Sequence, residues 1–116
     1  SQAAYQESVE QLFSTLDSIE QILDRKKFLL GDEPCEADWR ILPTLIRFDT
    51  VYYYHFKCNL RKLSSYINIS NYLENLSKIK KVAETIHNSH IVDHYYLSHL
   101  KINPFGIIPI GVQNLV

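Results

Sequence analysis

Apolar residues recur at steps of three and four along the start of the chain, which is the period of a helix with one buried face. Acidic residues occupy the opposite face, and Arg25, Lys26 and Lys27 follow the stripe, where positive charge favours a helix end. No glycine or proline occurs before Gly31. The pattern predicts one long helix from about Ala3 to Asp24, with a buried stripe of Tyr5, Val9, Leu12, Phe13, Leu16, Ile19, Ile22 and Leu23.

A turn predicted at residues 31–34 leads into a second helix. Cys35 stands at its N-cap position, and Glu36 and Asp38 place acids in its first turn. Its interior contains Pro43, which has no backbone donor, so we expect a kink there. The apolar residues that continue this helix are Trp39, Leu42, Leu45, Ile46 and Phe48.

The rest of the chain is also predicted to be helical. Tyrosine and valine in the segment Val51–Phe56 favour a strand, but a single short strand without a partner is unstable, so we assign this segment to the end of the second helix and a loop. Further helices are predicted at Asn68–Ile79 and at about Asn88–His99, with a short helical turn at Val82–Ile86. From Ile102 onward, Asn, Gly and Pro predict an extended tail packed on the surface. The expected fold class is an all-α helical bundle with an extended C-terminal tail.

Composition narrows the class of protein. The 116 residues make one domain, and 46% hydrophobic with 22% charged residues is unlike a disordered tail. No window approaches the ~18 consecutive apolar residues of a membrane helix, so we expect no membrane partner. The start, Ser1-Gln2-Ala3-Ala4, lacks the features of a signal peptide, which predicts a cytoplasmic protein. It also begins inside a predicted helix without an initiator Met, so we expect a piece of a longer protein, whose upstream part leaves an organellar address open.

Charge is distributed unevenly along the chain. Residues 1–38 carry nine acids and three bases, whereas residues 39–116 carry four acids and nine bases. The basic part also holds seven of the eight tyrosines, a combination that can bind nucleic acid. However, the Lys and Arg residues are separated by apolar ones, and no aromatic-basic motif of an RNA-binding sheet occurs. We therefore interpret the charges as solvated helix faces and expect no nucleic-acid partner.

Cysteine and histidine provide weak candidates for metal or redox chemistry. Cys35 and Cys58 belong to no Cys-x-x-Cys pair, which favours free thiols in a reducing compartment. His87, His90 and His94 follow an i, i+3, i+7 spacing that could place three zinc-binding imidazoles on one helix face. The general-base Glu of a zinc-protease helix is missing after His90, so we favour structural or exposed histidines and predict no metal site. A small zinc module stays open as a minor alternative.

Tyr95 and Tyr96 are the remaining candidates for chemistry. A phenol donates one directional hydrogen bond, which in an apolar pocket can stabilise a developing oxyanion or a thiolate. Packing of adjacent amphipathic side chains near a helix end is the alternative, and spacing alone favours it. From the residues alone, the chain is predicted to be a helical interaction or accessory module.

Several segments resemble a known family, the cytosolic glutathione transferases. The segment at the start of the second helix reads Gly31-Asp32-x-x-Cys35-x-Ala37-Asp38. It is similar to the capping sequence of their C-terminal helical domain, with Cys35 in place of Ser or Thr. Two longer blocks resemble the xi class, the glutathionyl-hydroquinone reductases, with Val82-Ala83-Glu84-Thr85 between them. They read Arg47-Phe48-Asp49-x-x-Tyr52-x-x-His55-Phe56-Lys57-Cys58-Asn59 and His90-Ile91-x-x-His94-Tyr95-Tyr96-x-Ser98-His99-x-x-Ile102-Asn103-Pro104-x-Gly106-Ile107.

The resemblance implies that residues 1–116 are the C-terminal helical domain of a two-domain enzyme. An N-terminal thioredoxin-like domain absent from this chain would bind the co-substrate glutathione and supply a nucleophilic cysteine. That thiolate would attack the sulfur of a glutathionyl-hydroquinone, release the hydroquinone, and be regenerated by a second glutathione through thiol–disulfide exchange. This domain by itself is expected to be inactive, and the family implies a homodimer formed through the helical domains.

The resemblance also implies roles for three residues of this chain. A family tyrosine that lines the substrate pocket and assists catalysis corresponds to Tyr95, and Tyr96 is a second candidate for binding the quinone-type substrate. Because neighbours on a helix point about 100° apart, only one of the two can face the pocket squarely. Cys58 is interpreted as a packed structural thiol. The alternative function is a non-catalytic, transferase-like helical domain used for protein association or dimerisation.

Overall fold

A computed structural model describes residues 1–79, 83–85 and 87–113 of the chain. Its helices are α1 (Gln2–Leu23), α2 (Glu36–Arg47), α3 (Ile67–Ser77), α4 (Asn88–Ser98) and α5 (Ile110–Gln113). A π-helical turn at Phe48–Tyr52 extends α2, and 3₁₀ turns lie at Leu63–Ser65 and Ala83–Thr85. Across these ranges no strand forms, and one isolated bridge joins Phe28 to Gly31. The all-α prediction is confirmed.

The main core lies where α1, α2 and α3 meet. Helix α1 follows its predicted bounds to within a residue, and its stripe buries Val9, Phe13, Leu16 and Leu23. These residues join one cluster with buried side chains of α2, the π-helical turn and α3, namely Leu42, Leu45, Phe48, Ile69, Tyr72 and Leu76. Burial of this apolar surface is the main favourable term that holds the three helices together.

The start of α2 is organised by Asp38, which is completely buried. Its carboxylate accepts hydrogen bonds from the backbone N–H of Cys35 at 2.7 Å and of Leu29 at 3.0 Å, and from the Tyr72 hydroxyl at 2.7 Å. The hydrogen bond from the N-cap backbone to Asp38 that the predicted cap requires is therefore present. The bonds from Leu29 and Tyr72 also connect the preceding turn and α3 to α2. Pro43 lies inside α2 as predicted.

Helix α3 is capped by a side chain of α1. Its own N-cap residue, Tyr66, makes no side-chain capping bond. Instead the two carboxylate oxygens of Glu20 accept the backbone N–H groups of Asn68 and Ile69, each at 2.8 Å. A negative charge at a helix N-terminus is favourable, so this contact fixes the position of α3 against α1.

The C-terminal segment departs from its prediction. Residues 102–109 run without regular helix, as expected, but the prediction that the helix near Asn88–His99 is the last one is wrong, because α5 follows it. Val112 in α5 is fully buried against Val92 and Tyr96 of α4, and this burial favours the extra helical turn. Of the turn predicted at Val82–Ile86, the structure describes Ala83–Thr85 as 3₁₀, while both end residues lie outside the described residues.

The ambiguous segment after α2 forms neither a strand nor a simple frayed end. The N–H of Tyr53 donates to the carbonyl of Phe48 at 2.9 Å, an i to i+5 bond that defines the π-helical turn. Phe48 is buried in the main core, and its ring stacks on Tyr52 with centroids 6.0 Å apart.

No helix in the described ranges is both long and apolar enough to cross a membrane.

Candidate functional site

A groove of about 540 Å³ runs between the C-terminal half of α2 and the face of α4 opposite it. The π-helical turn closes one part of it with Tyr52, and the second 3₁₀ turn contributes Thr85. π-helical turns occur frequently at functional sites, because they displace the following side chains from the ordinary helical positions. The complete lining is Pro43, Thr44, Ile46, Arg47, Tyr52, Thr85, His87, His90, Ile91, His94 and Tyr95.

Tyr95 lies in the wall of this groove. The residue is half-buried, and its ring contacts four others, with centroids 5.1 Å from His94, 5.2 Å from His99, 6.0 Å from Phe56 and 6.2 Å from His55. Its hydroxyl makes no hydrogen bond to any residue that the structure describes. Rings on several sides therefore orient the phenol.

Tyr96, the other predicted binding residue, lies in the core. It is 2% exposed, and its hydroxyl donates to the carbonyl of Thr50 at 2.7 Å. Burial raises the pKa of Tyr96 to about 12. Tyr96 does not line the groove. The role of Tyr96 in substrate binding stays a prediction, and its geometry supports a structural role that joins α4 to the π-helical turn.

Two histidines behind Tyr95 were not singled out from the sequence. His55 is 5% exposed, and its Nε2 lies 3.3 Å from Nδ1 of His99, so the two imidazoles form a hydrogen-bonded pair. Burial lowers the pKa of His55, and the nearby His99 and Lys57 lower it further. Both histidines occur in the two long blocks quoted above, but no local spacing connects them, because they are 44 residues apart.

His87, at the N-cap of α4, and His90 and His94 within α4 all line the groove. The rings of His87 and His90 have centroids 5.4 Å apart. Within the ranges that the structure covers, no group of three or more His, Cys, Asp or Glu side chains is arranged to hold a metal ion.

Arg47 brings a permanent positive charge to the opposite wall. Its Nη1 donates to the carbonyl of Pro43 at 2.8 Å, one turn earlier in α2. No described carboxylate forms an ion pair with it. By contrast, Arg40 in the same helix is paired with Glu36 at 2.7 Å, so the groove contains the unpaired arginine of α2.

Neither cysteine belongs to the groove. Cys58 packs against the main core, its thiol donates weakly to the Phe56 carbonyl at 3.8 Å, and burial raises its pKa. A raised pKa reduces the thiolate fraction, and thiolate is the nucleophilic form. The geometry thus supports the interpretation of Cys58 as a packed thiol.

Comparison with known proteins identifies the family of the chain. Residues 2–75 match the family described as glutathione S-transferase, C-terminal domain. The chain is 47% identical over 110 residues to the glutathionyl-hydroquinone reductase PcpF of Sphingobium chlorophenolicum, a match that covers 95% of this chain and 35% of that protein.

Solved structures show the same relationship in three dimensions. The glutathione-bound structure of YqjG, a glutathione transferase homologue from Escherichia coli K-12, superposes with a TM-score of 0.92 at 44% identity, covering 95% of this chain and 36% of that one. Glutathione transferase Xi 1 from Trametes versicolor superposes with a TM-score of 0.90 at 42% identity, covering 96% and 39%. This chain therefore spans about a third of the length of these relatives. Since the family match extends over more than half of its residues, the chain belongs to the glutathione S-transferase C-terminal domain family.

Proposed function

We propose that this chain is the substrate-binding helical half of a glutathionyl-hydroquinone reductase. The observation that carries the proposal is the position of Tyr95, whose hydroxyl lacks a described partner and which lines the groove between α2 and α4. The 47% identity to a protein named as such a reductase supports the substrate class. The glutathione-bound relative supports glutathione as the co-substrate.

The remaining machinery belongs to a second domain in this proposal. Because the chain spans about a third of its relatives, we infer that an N-terminal thioredoxin-like domain of the same protein binds most of the glutathione and carries the nucleophilic cysteine. We further propose a cytoplasmic homodimer. The groove would then form one wall of an active site whose other wall is that domain.

The proposed reaction is a reduction of the substrate by two thiols. The cysteine thiolate attacks the glutathionyl sulfur, the carbon–sulfur bond breaks with its electron pair moving to the ring, and the ring carbon takes up a proton. This step releases the hydroquinone and leaves a cysteine–glutathione disulfide. A second glutathione thiolate attacks that disulfide, which yields oxidised glutathione and restores the cysteine.

Tyr95 assists this reaction by hydrogen bonding. Its hydroxyl donates to a quinol oxygen or to the sulfur, where negative charge develops as the bond to the ring breaks. The surrounding rings of His94, His99 and Phe56 hold the phenol in place, so that little freedom is lost when the substrate binds.

The test is a matched pair of tyrosine variants in the full-length protein. Tyr95→Phe should lower kcat with a glutathionyl-hydroquinone by about a hundredfold, the typical effect of removing one such donor. Tyr96→Phe makes the same chemical change one residue away, and should lower the melting temperature while kcat of the folded enzyme stays within about threefold, because that hydroxyl is committed to Thr50. Unchanged kinetics for Tyr95→Phe would remove Tyr95 from the mechanism.

One observation favours the alternative of a non-catalytic association domain. Large apolar side chains are exposed along the C-terminal segment, including Phe105 at 86% and Ile110 at 76%. Such a surface fits a protein partner. The residues encoded upstream of Ser1 discriminate between the two functions, because a thioredoxin-like sequence with a cysteine in a tight turn supports the enzyme, whereas an unrelated domain supports association.

A further inference from the structure

The walls of the groove carry basic side chains. Arg47 contributes a guanidinium from α2, His87 an imidazole from the N-cap of α4, and His90 and His94 imidazoles from α4 itself. No Asp or Glu side chain is among the described residues that line it. A concave site with cationic groups and no carboxylate attracts anionic ligands and repels cations.

Arg47 is the group best prepared to bind an anion. A guanidinium has five N–H donors, and the described contacts of Arg47 use Nη1 alone, toward the Pro43 carbonyl. Arg40 and Arg61, in contrast, are engaged by Glu36 at 2.7 Å and by Asp17 at 2.8 Å. Because the planar fork of an arginine matches a carboxylate, the free donors of Arg47 favour that group in a ligand.

The histidine wall adds hydrogen-bonding groups to the groove. Each imidazole of His87, His90 and His94 has a ring N–H that can donate to an anionic group beside Arg47. The acidic neighbours Asp93 and Glu84 are exposed and do not line the groove, and solvent screens their field.

From this geometry we infer that the groove selects glutathionyl-hydroquinones that carry an anionic substituent on the ring, with Arg47 and the histidine wall binding that substituent. The inference rests on the proposed function and specifies its substrate class. Tyr95 and Arg47 lie on opposite walls, so the reacting end of the ring and the charged substituent are recognised by different groups.

The test compares two substrates that differ by one carboxylate, the glutathionyl adducts of hydroquinone and of 2,5-dihydroxybenzoate, with the full-length enzyme. At pH 6.5 we expect kcat/KM to be about tenfold higher for the carboxylated adduct, the effect of one charge-assisted hydrogen bond. The carboxylate is ionised at this pH, so the ratio combines the contribution of the groove with any difference in the intrinsic reactivity of the two adducts.

Matched variants separate recognition from the intrinsic reactivity of the two adducts. Arg47→Gln should bring the ratio close to that expected from reactivity alone. Arg47→Lys should keep part of the preference for the carboxylated adduct. Arg40→Gln, on the exposed face of the same helix, should keep all of that preference. The double variant His90→Gln/His94→Gln should lower the ratio, because it removes two of the imidazoles from the groove wall. Turnover of both adducts with ratios that are equal in Arg47→Gln and Arg40→Gln would overturn this inference and leave the proposed function intact. No turnover of either adduct by the wild-type enzyme would overturn both.

Discussion

The bundle of α1, α2 and α3 and the C-terminal unit of α4 and α5 are stabilised to very different degrees. Among the residues that the structure describes, thirteen buried apolar residues form the cluster of the bundle, whereas three, Val92, Tyr96 and Val112, form that of the C-terminal unit. Large apolar side chains beyond Ser98, such as Leu100 and Phe105, are instead exposed. Each buried residue of the C-terminal unit therefore carries a larger share of its stability.

The bundle and the C-terminal unit also differ in how the N-termini of their helices are capped. In the bundle, buried or half-buried carboxylates accept hydrogen bonds from the free backbone N–H groups at the helix starts. Asp38 accepts at the start of α2 and Glu20 at the start of α3. Asp49 accepts from the backbone N–H of Leu63, at the start of the first 3₁₀ turn, at 2.6 Å. Helix α4 begins at Asn88, and its N-cap residue His87 makes no side-chain capping bond. Among the described residues, the start of the helix that presents Tyr95 therefore lacks the carboxylate cap that α2 and α3 have.

The largest effect is expected at Asp38. In Asp38→Ala, three donors lose their acceptor inside the bundle, so the free energy of unfolding should fall by about 4 kcal/mol in urea denaturation. Asp32→Ala, an exposed acid of the same turn, should change it by less than about 0.5 kcal/mol. Equal effects of the two substitutions would show that Asp38 does not organise the bundle.

Asp38 also makes the bundle sensitive to acid. Burial alone raises the pKa of a carboxyl group, but the hydrogen bonds from Cys35, Leu29 and Tyr72 outweigh it here and lower the pKa of Asp38 below its ordinary value. Its stabilisation is therefore present above about pH 4 and is lost as the pH falls through the lowered value. The unfolding free energy of the wild type should decrease more steeply below pH 4 than that of Asp38→Asn.

The C-terminal unit has its most sensitive position at Gly111. A Cβ atom there would lie 2.2 Å from Oη and 2.8 Å from Cζ of Tyr54, so Gly111→Ala requires the ring or α5 to move, at a cost of about 2 kcal/mol. We expect faster amide hydrogen exchange in α4 and unchanged exchange in α1 and α3. Ile110→Ala, at a neighbouring exposed position, is the control. Uniform loss of protection throughout the chain would mean that the two regions unfold as one.

The two regions also differ in how much the sequence could predict. The bundle was predictable because its helices are long and their apolar stripes regular, so that α1 is right to within one residue at each end. Helix α5 was missed because it has four residues and depends on burying Val112 against residues distant in sequence. Local sequence patterns do not predict contacts between residues that are distant in sequence.

The same reasoning applies to the candidate site. Tyr95 and Tyr96 were both candidates from their chemistry, and the resemblance between motifs favoured Tyr95; the structure adds that the Tyr96 hydroxyl is bonded to Thr50. Arg47 appeared in the sequence analysis only as the first residue of one of the long blocks. Its significance comes from the absence of a described carboxylate partner, which is a property of the packed surface rather than of the local sequence.

A smaller effect is expected from the imidazole pair behind Tyr95. Burial keeps the pKa of His55 below its ordinary value, so the folded state favours the neutral ring, and stability is greatest above the pKa of an unfolded histidine. As the pH falls from 8 to 5.5, the unfolding free energy of the wild type should decrease by up to about 1 kcal/mol more than that of His55→Gln.

The smallest effects are expected from the surface ion pairs, which, among the described residues, belong to the bundle. If the bundle is stabilised by its core and its buried caps, removing Lys78 from its exposed pair with Glu74 should leave urea denaturation of the chain unchanged. Arg61→Gln should cost slightly more, about 0.5–1 kcal/mol, because that guanidinium also lies over the rings of Phe13 and Tyr66. If Lys78→Gln lowered the free energy of unfolding as much as Asp38→Ala, surface ion pairs rather than the core and buried caps would stabilise the bundle. That result would contradict the distinction between the two regions. The expected order instead follows burial, because water screens the exposed charges and not the carboxylate of Asp38.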